Sequence, residues 1–170
     1  MACEAIVKKA IKGDDEAFYS IIHDNKEQLY RIAFSYLKNK EDSLEAIQEM
    51  TFRAYKNISK LKKPKYFKTW IIRILINYCV DEQKRQRKTL TLNRSSEGIT
   101  DSDRVEKLTV ESAVDKLKPK YKDVIVLKYF EDLTISEIAD IMKCPEGTIK
   151  TRLSRGLASL RKYLGEDGEF

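Results

Sequence analysis

The side chains that could carry covalent or metal chemistry are few and scattered. The chain has one histidine, His23, and three cysteines, Cys3, Cys79 and Cys144. His23 has no cysteine or acidic cluster at metal-ligand spacing around it, and there is no glycine-rich phosphate loop. An odd, scattered set of cysteines also gives no disulfide framework. We therefore expect no catalytic residue, cofactor, metal or small-molecule substrate, which leaves non-covalent binding as the chemistry of this chain.

The strongest binding signal is a run of positive charge mixed with aromatic rings. Residues 56–73 hold seven cations and no acid. They are interleaved with Leu61, Tyr66, Phe67 and Trp70. Cations that follow phosphates, beside rings or apolar pockets that take unstacked bases, suit single-stranded nucleic acid. The alternative is that Phe67 and Trp70 are core residues and the lysines a solvated face. Five lysines in residues 60–68 should repel each other unless an anion is near, which favours binding.

The same segment continues into an apolar helix that contains one amide and ends in cations. Asn77 is either a buried, hydrogen-bonded structural residue or a surface amide that pairs with a base edge. Lys84, Arg85, Arg87 and Lys88 follow near the end of this helix. Cations are favourable at a helix C-terminus in any case, so they are weaker evidence for a nucleic-acid site.

A second cationic surface is predicted near the C-terminus, on a helix-turn-helix. Thr134 and Glu137 have the spacing of a capping box, which predicts a helix from Thr134 to about Met142. A tight turn follows, with Pro145 suited to the first position of the next helix. At 100° per residue that helix turns Ile149, Leu153, Leu157 and Leu160 to the core. Its outer side carries Thr148, Thr151, Ser154, Arg155 and Lys162, with Lys150 and Arg152 on the flanks. This suits a helix in the major groove, although a solvated basic face remains the alternative.

Composition and periodicity predict an all-α chain that holds these surfaces in two domains. The 170 residues are 42% hydrophobic and 35% charged, with only six glycines, three prolines and a net charge of +6. No apolar run approaches the length of a bilayer span, and the first residues do not form a signal peptide, so we expect a cytoplasmic protein. Charge along the chain is basic, then acidic, then basic. Residues 53–94 carry 13 cations and two acids, residues 95–142 seven and 11, and residues 143–162 six and one.

Apolar stripes at helical spacing place the individual helices. Residues 18–37 predict one or two helices, and Asp42 with Glu45 is a candidate capping pair for the next. That next helix has the stripe Leu44, Ile47, Thr51, Tyr55 and Ile58. A long helix follows from Tyr66 to about Arg87. After the polar stretch Thr89–Arg104 come helices near Val105–Leu117 and Pro119–Phe130. The predicted organisation is an N-terminal helical bundle (1–88), a polar and acidic linker (89–104) and a C-terminal helix-turn-helix domain (105–170).

Three segments resemble the bacterial RNA polymerase sigma factors, specifically the short extracytoplasmic-function (ECF) group. QEMTFRAY (residues 48–55) is similar to the polymerase-binding helix of that family. FKTWIIRILIN (residues 67–77) is similar to its Phe-x-x-Trp-Leu-x-Arg-Ile-Ala-x-Asn stretch, and CPEGTIKTRLSR (residues 144–155) is similar to its recognition helix. The three occur in family order, and the resemblance as a whole covers roughly Asp14 to Leu164, about 150 residues.

The resemblance implies roles that the residues alone do not give. The polymerase-binding set, which docks on the clamp helices of the largest subunit, would be Ile47, Gln48, Glu49, Phe52 and Tyr55. The set that holds a flipped base of the −10 element and contacts the adjoining DNA would be Leu61, Lys62, Lys63, Lys65, Tyr66, Phe67, Arg73, Asn77, Lys84, Arg85 and Arg87. The −35 set would be Thr148, Lys150, Thr151, Arg152, Ser154 and Arg155. The C-terminal domain would sit on the polymerase flap, and an anti-sigma factor, often membrane-anchored, would cover these surfaces.

Two other classes of protein remain open on the residues alone. A stand-alone helix-turn-helix regulator would share the C-terminal evidence, but its sensor domain would not need the cationic and aromatic segment 56–88. Such a regulator should bind duplex DNA by itself. A partner-binding adaptor that never touches DNA would bind polymerase without giving a promoter-specific transcript.

Overall fold

Helices make up every regular element in the residues that the structure, a computed structural model, describes: 2–93 and 110–165. The chain divides into two compact units, Met1–Ser96 and Glu97–Phe170. The predicted all-α class with two domains is confirmed. Within the described ranges, no helix is both long and apolar enough to cross a membrane.

Within residues 2–93, unit 1 contains four α-helices, α1 (Ala2–Ile11), α2 (Asp15–Leu37), α3 (Lys40–Asn57) and α4 (Phe67–Asn93). The apolar residues 18–37 form one helix rather than two. Asp14 caps α2, since its Oδ1 accepts a hydrogen bond from the backbone N–H of Ala17 at 2.9 Å. The core is built mainly from α2, α3 and α4, and its fully buried members include Ile21, Leu29, Ile32, Met50, Ile71 and Leu75.

The start of α3 differs from the prediction. Asn39 is the N-cap, because its side-chain Oδ1 accepts from the backbone N–H of Asp42 at 3.0 Å. The helix therefore begins at Lys40, and the predicted capping pair of Asp42 and Glu45 is wrong. Asp42 instead accepts a hydrogen bond from the side chain of Gln86 on α4 at 3.0 Å. An amide in the turn before α3 fits this role because asparagine is among the preferred N-cap residues.

The buried face of α3 is also not the predicted one. Small residues line it together with one methionine: Ser43, Ala46, Met50 and Ala54. Of the predicted stripe only Ile58, just after the helix, is buried, while Leu44 and Tyr55 are 44% and 52% exposed. Small side chains allow two helices to approach closely, so α3 packs against α2 and α4 through them. Its larger apolar side chains are consequently left outside.

Helix α4 is longer than predicted and passes through the core of unit 1. It extends to Asn93, so Thr89–Asn93, which the sequence assigned to the linker, is helical. The rest of the predicted linker lies outside the described residues. Polar contacts hold the far half of α4, since Gln83 Nε2 donates to the carbonyl of Tyr36 at 2.6 Å. Cys79 is fully buried on the inner face, and burial raises the pKa of its thiol to about 12.

Unit 2 contains α5 (Val110–Asp115), α6 (Pro119–Ile125), a π-helical turn at Val126–Phe130, α7 (Ile135–Met142) and α8 (Glu146–Gly165). The capping box is present, with the Glu137 N–H donating to Thr134 Oγ1 and the Thr134 N–H donating to Glu137 Oε2. Lys143 ends α7 in the left-handed region, with φ of 50°. Pro145 precedes α8 rather than occupying its first position. The first residues of the predicted helix Val105–Leu117 lie outside the described ranges.

Gly156 lies at a close contact between α6 and α8. A Cβ atom built there would lie 3.2 Å from Ile125 Cγ1 and 3.4 Å from Tyr121 Cβ. Helix propensity alone gives glycine a cost of about 1 kcal/mol relative to alanine. Replacing Gly156 by alanine should therefore gain stability, but the contact with buried Ile125 opposes this gain. The interior is tightly packed, and Ile125 must move to admit a methyl group.

We expect Gly156→Ala either to raise the free energy of unfolding of unit 2 by less than the roughly 1 kcal/mol that helix propensity alone predicts, or to lower it. Ala158→Gly, on the exposed side of the same helix, is the matched control and should lose about 1 kcal/mol. The measurement is urea denaturation followed by far-UV circular dichroism. Fluorescence of the single tryptophan, Trp70, reports unit 1 separately. A gain from Gly156→Ala equal to the control's loss would contradict the packing argument.

Candidate nucleic-acid interface

The lysine loop, residues 60–68, connects α3 to α4 with its charges in solvent. All five of its lysines are exposed. Two 3-10 turns, Ile58–Lys60 and Pro64–Tyr66, shape the backbone, and the second is closed by the Tyr66 N–H donating to the carbonyl of Lys63 at 3.1 Å. Ile58 before the loop and Phe67 at its end are buried. The loop is therefore anchored at both ends while its cations point outward.

Three apolar side chains of this segment differ in accessibility. Tyr66 is 40% exposed, with Lys65 Nζ lying 4.9 Å from its ring centroid, and Leu61 is half-buried. Phe67 is only 2% exposed and belongs to the core. We therefore remove Phe67 from the predicted base-contacting set, because its ring has no surface to offer a base. The role of the buried Phe67 ring is to fix the position of the neighbouring Tyr66 and of the lysines in the loop.

The outer face of α4 continues the surface of the lysine loop. At 100° per residue, Trp70, Arg73, Asn77 and Lys84 lie within about 60° of each other. Asn77 and Lys84 are exposed, and Trp70 and Arg73 are half-buried. This exposure favours the reading of Asn77 as a surface amide over the buried structural one. Trp70 was not among the predicted site residues because an indole in an apolar helix is usually a core residue.

The other cations near the end of α4 point elsewhere. Arg85 and Arg87 lie about 70–90° to either side of the outer face. Arg85 Nη2 pairs with Glu82 Oε2 at 2.5 Å, and both line a groove of about 520 Å³ with Asp42 and Gln86. The structure thus brings Arg73, Asn77 and Lys84 together and leaves Arg85 and Arg87 on the flanks.

A separate exposed apolar surface lies on α3, and we name it the α3 outer face. It comprises Leu44, Gln48, Phe52 and Tyr55, which fall within about 80° on the helix. Phe52 is 53% exposed, and Lys56 Nζ lies 4.1 Å from its ring centroid. Of the predicted polymerase-binding set, Gln48, Phe52 and Tyr55 share this face, while Ile47 and Glu49 are half-buried at its edges. Leu44 was missed because its spacing assigned it to the core.

Tyr55 is held in place by α2. Its hydroxyl donates to Asp15 Oδ1 at 2.9 Å, and its ring meets Phe18 edge-on with centroids 5.2 Å apart. The hydrogen bond to the Asp15 carboxylate raises the pKa of Tyr55 above its usual value. Large exposed apolar side chains that share a face and are already ordered are typical of a protein-docking surface.

Helix α8 presents the second cationic surface in the predicted orientation. Ile149 is fully buried and Leu160 is 8% exposed, so the inner side of α8 packs on the core of unit 2. Of the predicted −35 set, Lys150, Thr151, Ser154 and Arg155 are exposed, and Thr148 and Arg152 are half-buried. The Thr151 hydroxyl donates to the carbonyl of Gly147 at 2.9 Å, so its proton is used within the helix and its oxygen is left as an acceptor.

The difference between Phe67 and Tyr66 can be measured. Phe67→Ala should destabilise unit 1 by about 3–5 kcal/mol, because it empties a filled core position. Tyr66→Ala, the adjacent control, should cost less than about 1 kcal/mol. Urea denaturation monitored by Trp70 fluorescence provides the comparison. Equal losses of stability for the two variants would show that Phe67 is not a core residue.

Comparison with known proteins assigns both units. Residues 21–89 match the family described as Sigma-70 region 2, and residues 107–160 match Sigma-70, region 4. These ranges contain every predicted polymerase, −10 and −35 residue. The fold is similar to CnrH in its complex with the cytosolic domain of CnrY, with a TM-score of 0.78, 22% identity, and coverage of 99% of this chain and 100% of that one. It is also similar to RpoE in complex with the anti-sigma factor NepR from Bartonella quintana, with a TM-score of 0.71, 20% identity, and coverage of 89% and 98%.

Sequence relatives extend over nearly the whole chain. SigV, an RNA polymerase sigma factor of Bacillus subtilis (strain 168), is 34% identical over 86% of this chain and 90% of the relative. SigW of the same organism, an ECF RNA polymerase sigma factor, is 33% identical over 95% of this chain and 98% of the relative. Since two sigma-70 regions occur in order and the likeness to SigW runs from end to end, the chain belongs to the ECF RNA polymerase sigma factors.

Proposed function

We propose that this chain binds core RNA polymerase in the bacterial cytoplasm, directs it to promoters by contacting their −35 and −10 elements, and promotes strand opening. The genes concerned would form a stress or envelope-response regulon. The observation that carries this proposal is that the exposed lysine loop continues directly into the α4 face with Asn77. A stand-alone regulator does not need such a surface, whereas strand opening does.

The α3 outer face is the proposed polymerase contact in unit 1. Its apolar side chains would be covered by the clamp helices of the largest subunit, which explains why they are exposed in the free chain. Because Asp15 and Phe18 already order Tyr55, docking loses less side-chain entropy than it would with a free ring. Unit 2 would rest on the polymerase flap.

At the −10 element the lysine loop and α4 would contact different parts of the DNA. The lysines would follow the phosphates of the opened strand, and Tyr66 and Leu61 would form part of a pocket for an unstacked base. Asn77 would hydrogen-bond the edge of that base. Extruding a base costs a few kcal/mol of free energy. A pocket with an amide contact and several phosphate contacts would supply a binding free energy of comparable magnitude. The chain would therefore stabilise the open state without making or breaking a covalent bond.

At the −35 element α8 would enter the major groove. Lys150 and Arg155 reach base acceptors or phosphates, while the short side chains of Thr151 and Ser154 permit close approach. The contacts to the −35 and −10 elements would act together, because both are made from one polymerase. Once the first contact has formed, the second becomes an intramolecular binding event.

An anti-sigma factor is the proposed regulator. The α3 outer face and the cationic faces of α4 and α8 are all exposed in the free chain, so a protein that covers them would block both polymerase and DNA. The solved RpoE structure is a complex with an anti-sigma factor, and this supports a similar partner here. A partner anchored in the membrane would hold the chain at the inner face of that membrane.

Two substitutions should separate polymerase binding from strand opening. Phe52→Ala should weaken binding to core polymerase at least about tenfold, because it removes a central aromatic side chain from the docking face. Asn77→Ala should leave that affinity unchanged and reduce promoter-specific transcription by about 5- to 150-fold, the value of a good base contact. Core binding is measured by fluorescence titration and transcription by a run-off assay. Equal loss of core binding in both variants would refute the assignment of Asn77.

The role of α8 is tested on the −35 element. Arg155→Ala and Lys150→Ala should each lower run-off transcription from promoters with an intact −35 element by about 5- to 150-fold. On templates whose −35 element is scrambled, the variants and the unaltered chain should give equal transcription. Unchanged promoter preference in both variants would mean that another face of α8 contacts DNA.

A further inference from the structure

Arg53 lies where α3 meets α4, and it belongs neither to the proposed polymerase contacts nor to the proposed −10 contacts. Its guanidinium Cζ lies 5.4 Å from the ring centroid of Tyr78 on α4, which is a cation–π distance. Tyr78 is 7% exposed, and its hydroxyl donates to Glu45 Oε1 of α3 at 3.2 Å. Tyr78 directly follows Asn77 in the chain, so this fixed ring holds the charge of Arg53 on the flank of the proposed −10 surface.

A carboxylate of the same helix neutralises this charge in the free chain. Arg53 Nε donates to Glu49 Oε1 at 2.7 Å, and the two side chains are 46% and 36% exposed. An ion pair this exposed is weak, so a competing charge breaks it at little cost in free energy. The pairing uses one of the five N–H donors of the guanidinium and leaves the others for a second acceptor.

Arg85 provides a comparison on the α4 side of the same ring. Its charge also acts on Tyr78, and it is paired with Glu82. The Glu82 side chain is only 19% exposed, and it lines the groove beside α4 rather than a proposed docking surface. Glu49, in contrast, belongs to the proposed polymerase-binding set. Polymerase can therefore take the partner of Arg53 but not that of Arg85.

We infer that Arg53 is a contact to the DNA phosphate backbone that Glu49 masks until polymerase binds. A polymerase cation that pairs with Glu49 leaves Arg53 on the Tyr78 ring without a counter-charge. A promoter phosphate then becomes its partner, because guanidinium groups form strong bidentate hydrogen bonds with phosphate. The inference rests on the proposed function, since it requires polymerase at α3 and DNA at α4.

The shared carboxylate links polymerase docking to DNA affinity. In the free chain Glu49 both occupies Arg53 and repels phosphates, whereas in the holoenzyme one more cation faces the DNA. A ligand shifts an equilibrium between two states only if it binds one of them better. Polymerase meets this condition because it competes with Arg53 for the same carboxylate.

The first measurement uses the full chain without polymerase and a fluorescently labelled oligo(dT) strand. Glu49→Gln should raise the affinity about two- to fivefold at low salt, the strength of an exposed ion pair. It should also steepen the plot of log affinity against log salt concentration by about 0.7, the value of one phosphate contact on a single strand. Glu41→Gln removes the same charge from an exposed position in the first turn of α3 and should leave this slope unchanged. In an Arg53→Ala background, Glu49→Gln should give no more effect than Glu41→Gln.

The second measurement uses holoenzyme reconstituted with excess core polymerase, so that a small loss of core affinity does not limit promoter binding. Arg53→Ala should reduce the salt slope of promoter binding by about 0.7–0.9, the value of one lost phosphate contact. Arg53→Lys keeps the charge and should retain most of the slope, which a purely structural role of the guanidinium would not predict. Fluorescence titration gives the core affinity of each variant separately.

Three results would overturn the inference and leave the proposed function intact. The gain from Glu49→Gln could persist in the Arg53→Ala background, or Arg53→Ala could leave the salt slope of the holoenzyme unchanged. Arg53→Ala could also weaken core binding alone, which would make Arg53 a polymerase contact. A chain that neither binds core polymerase nor initiates at any promoter would refute the proposed function, and this inference with it. Circular dichroism of each variant shows whether it is folded.

Discussion

The inner face of α4 packs into the core of unit 1, and this packing fixes the direction of every group that the helix presents outward. Phe67, Ile71, Leu75 and Cys79 are each at most 2% exposed. A helix locked along one side cannot rotate, so Arg73, Asn77 and Lys84 keep a common direction before any DNA is present. Hydrogen bonds from Gln83 and Gln86 extend this control beyond the apolar part of the helix. The proposed nucleic-acid surface thus lies on the side of α4 opposite the hydrophobic core, and its preorganisation would lower the cost of binding.

In α3 and α8, too, the packing of the inner face determines which side chains point outward, but different residues make the close contacts. Helix α3 packs through small residues such as Ala46 and Ala54, which draws it close to its neighbours and leaves Phe52 and Tyr55 outside. Helix α8 uses Gly156 to admit Ile125 of α6 on its inner side, and Lys150 of the same helix is exposed. In all three helices the packing on one side determines which side chains are left for the proposed binding surface on the other.

Much of this arrangement could be predicted from sequence, and the exceptions share a cause. The capping box at Thr134 and the rotation of α8 followed from local hydrogen bonding and periodicity. The face of α3 did not, because periodicity assigns the largest apolar residues to the core and cannot recognise a core face made of alanine and serine. Phe67 was misassigned because aromatic rings beside lysines are typical of both base stacking and core anchoring. Which of these applies depends on tertiary contacts with residues distant in sequence.

The environment of Cys79 has a consequence for oxidising conditions. Only the thiolate of a cysteine reacts readily with peroxides or disulfides. Cys79 has no exposed surface, and burial raises the pKa of its thiol well above the usual value, so the unreactive thiol form dominates at neutral pH. We therefore expect the Cys79 thiol to react slowly with peroxides and disulfides. Cys79 is in this respect a structural cysteine, whose contribution is to the packing of the core.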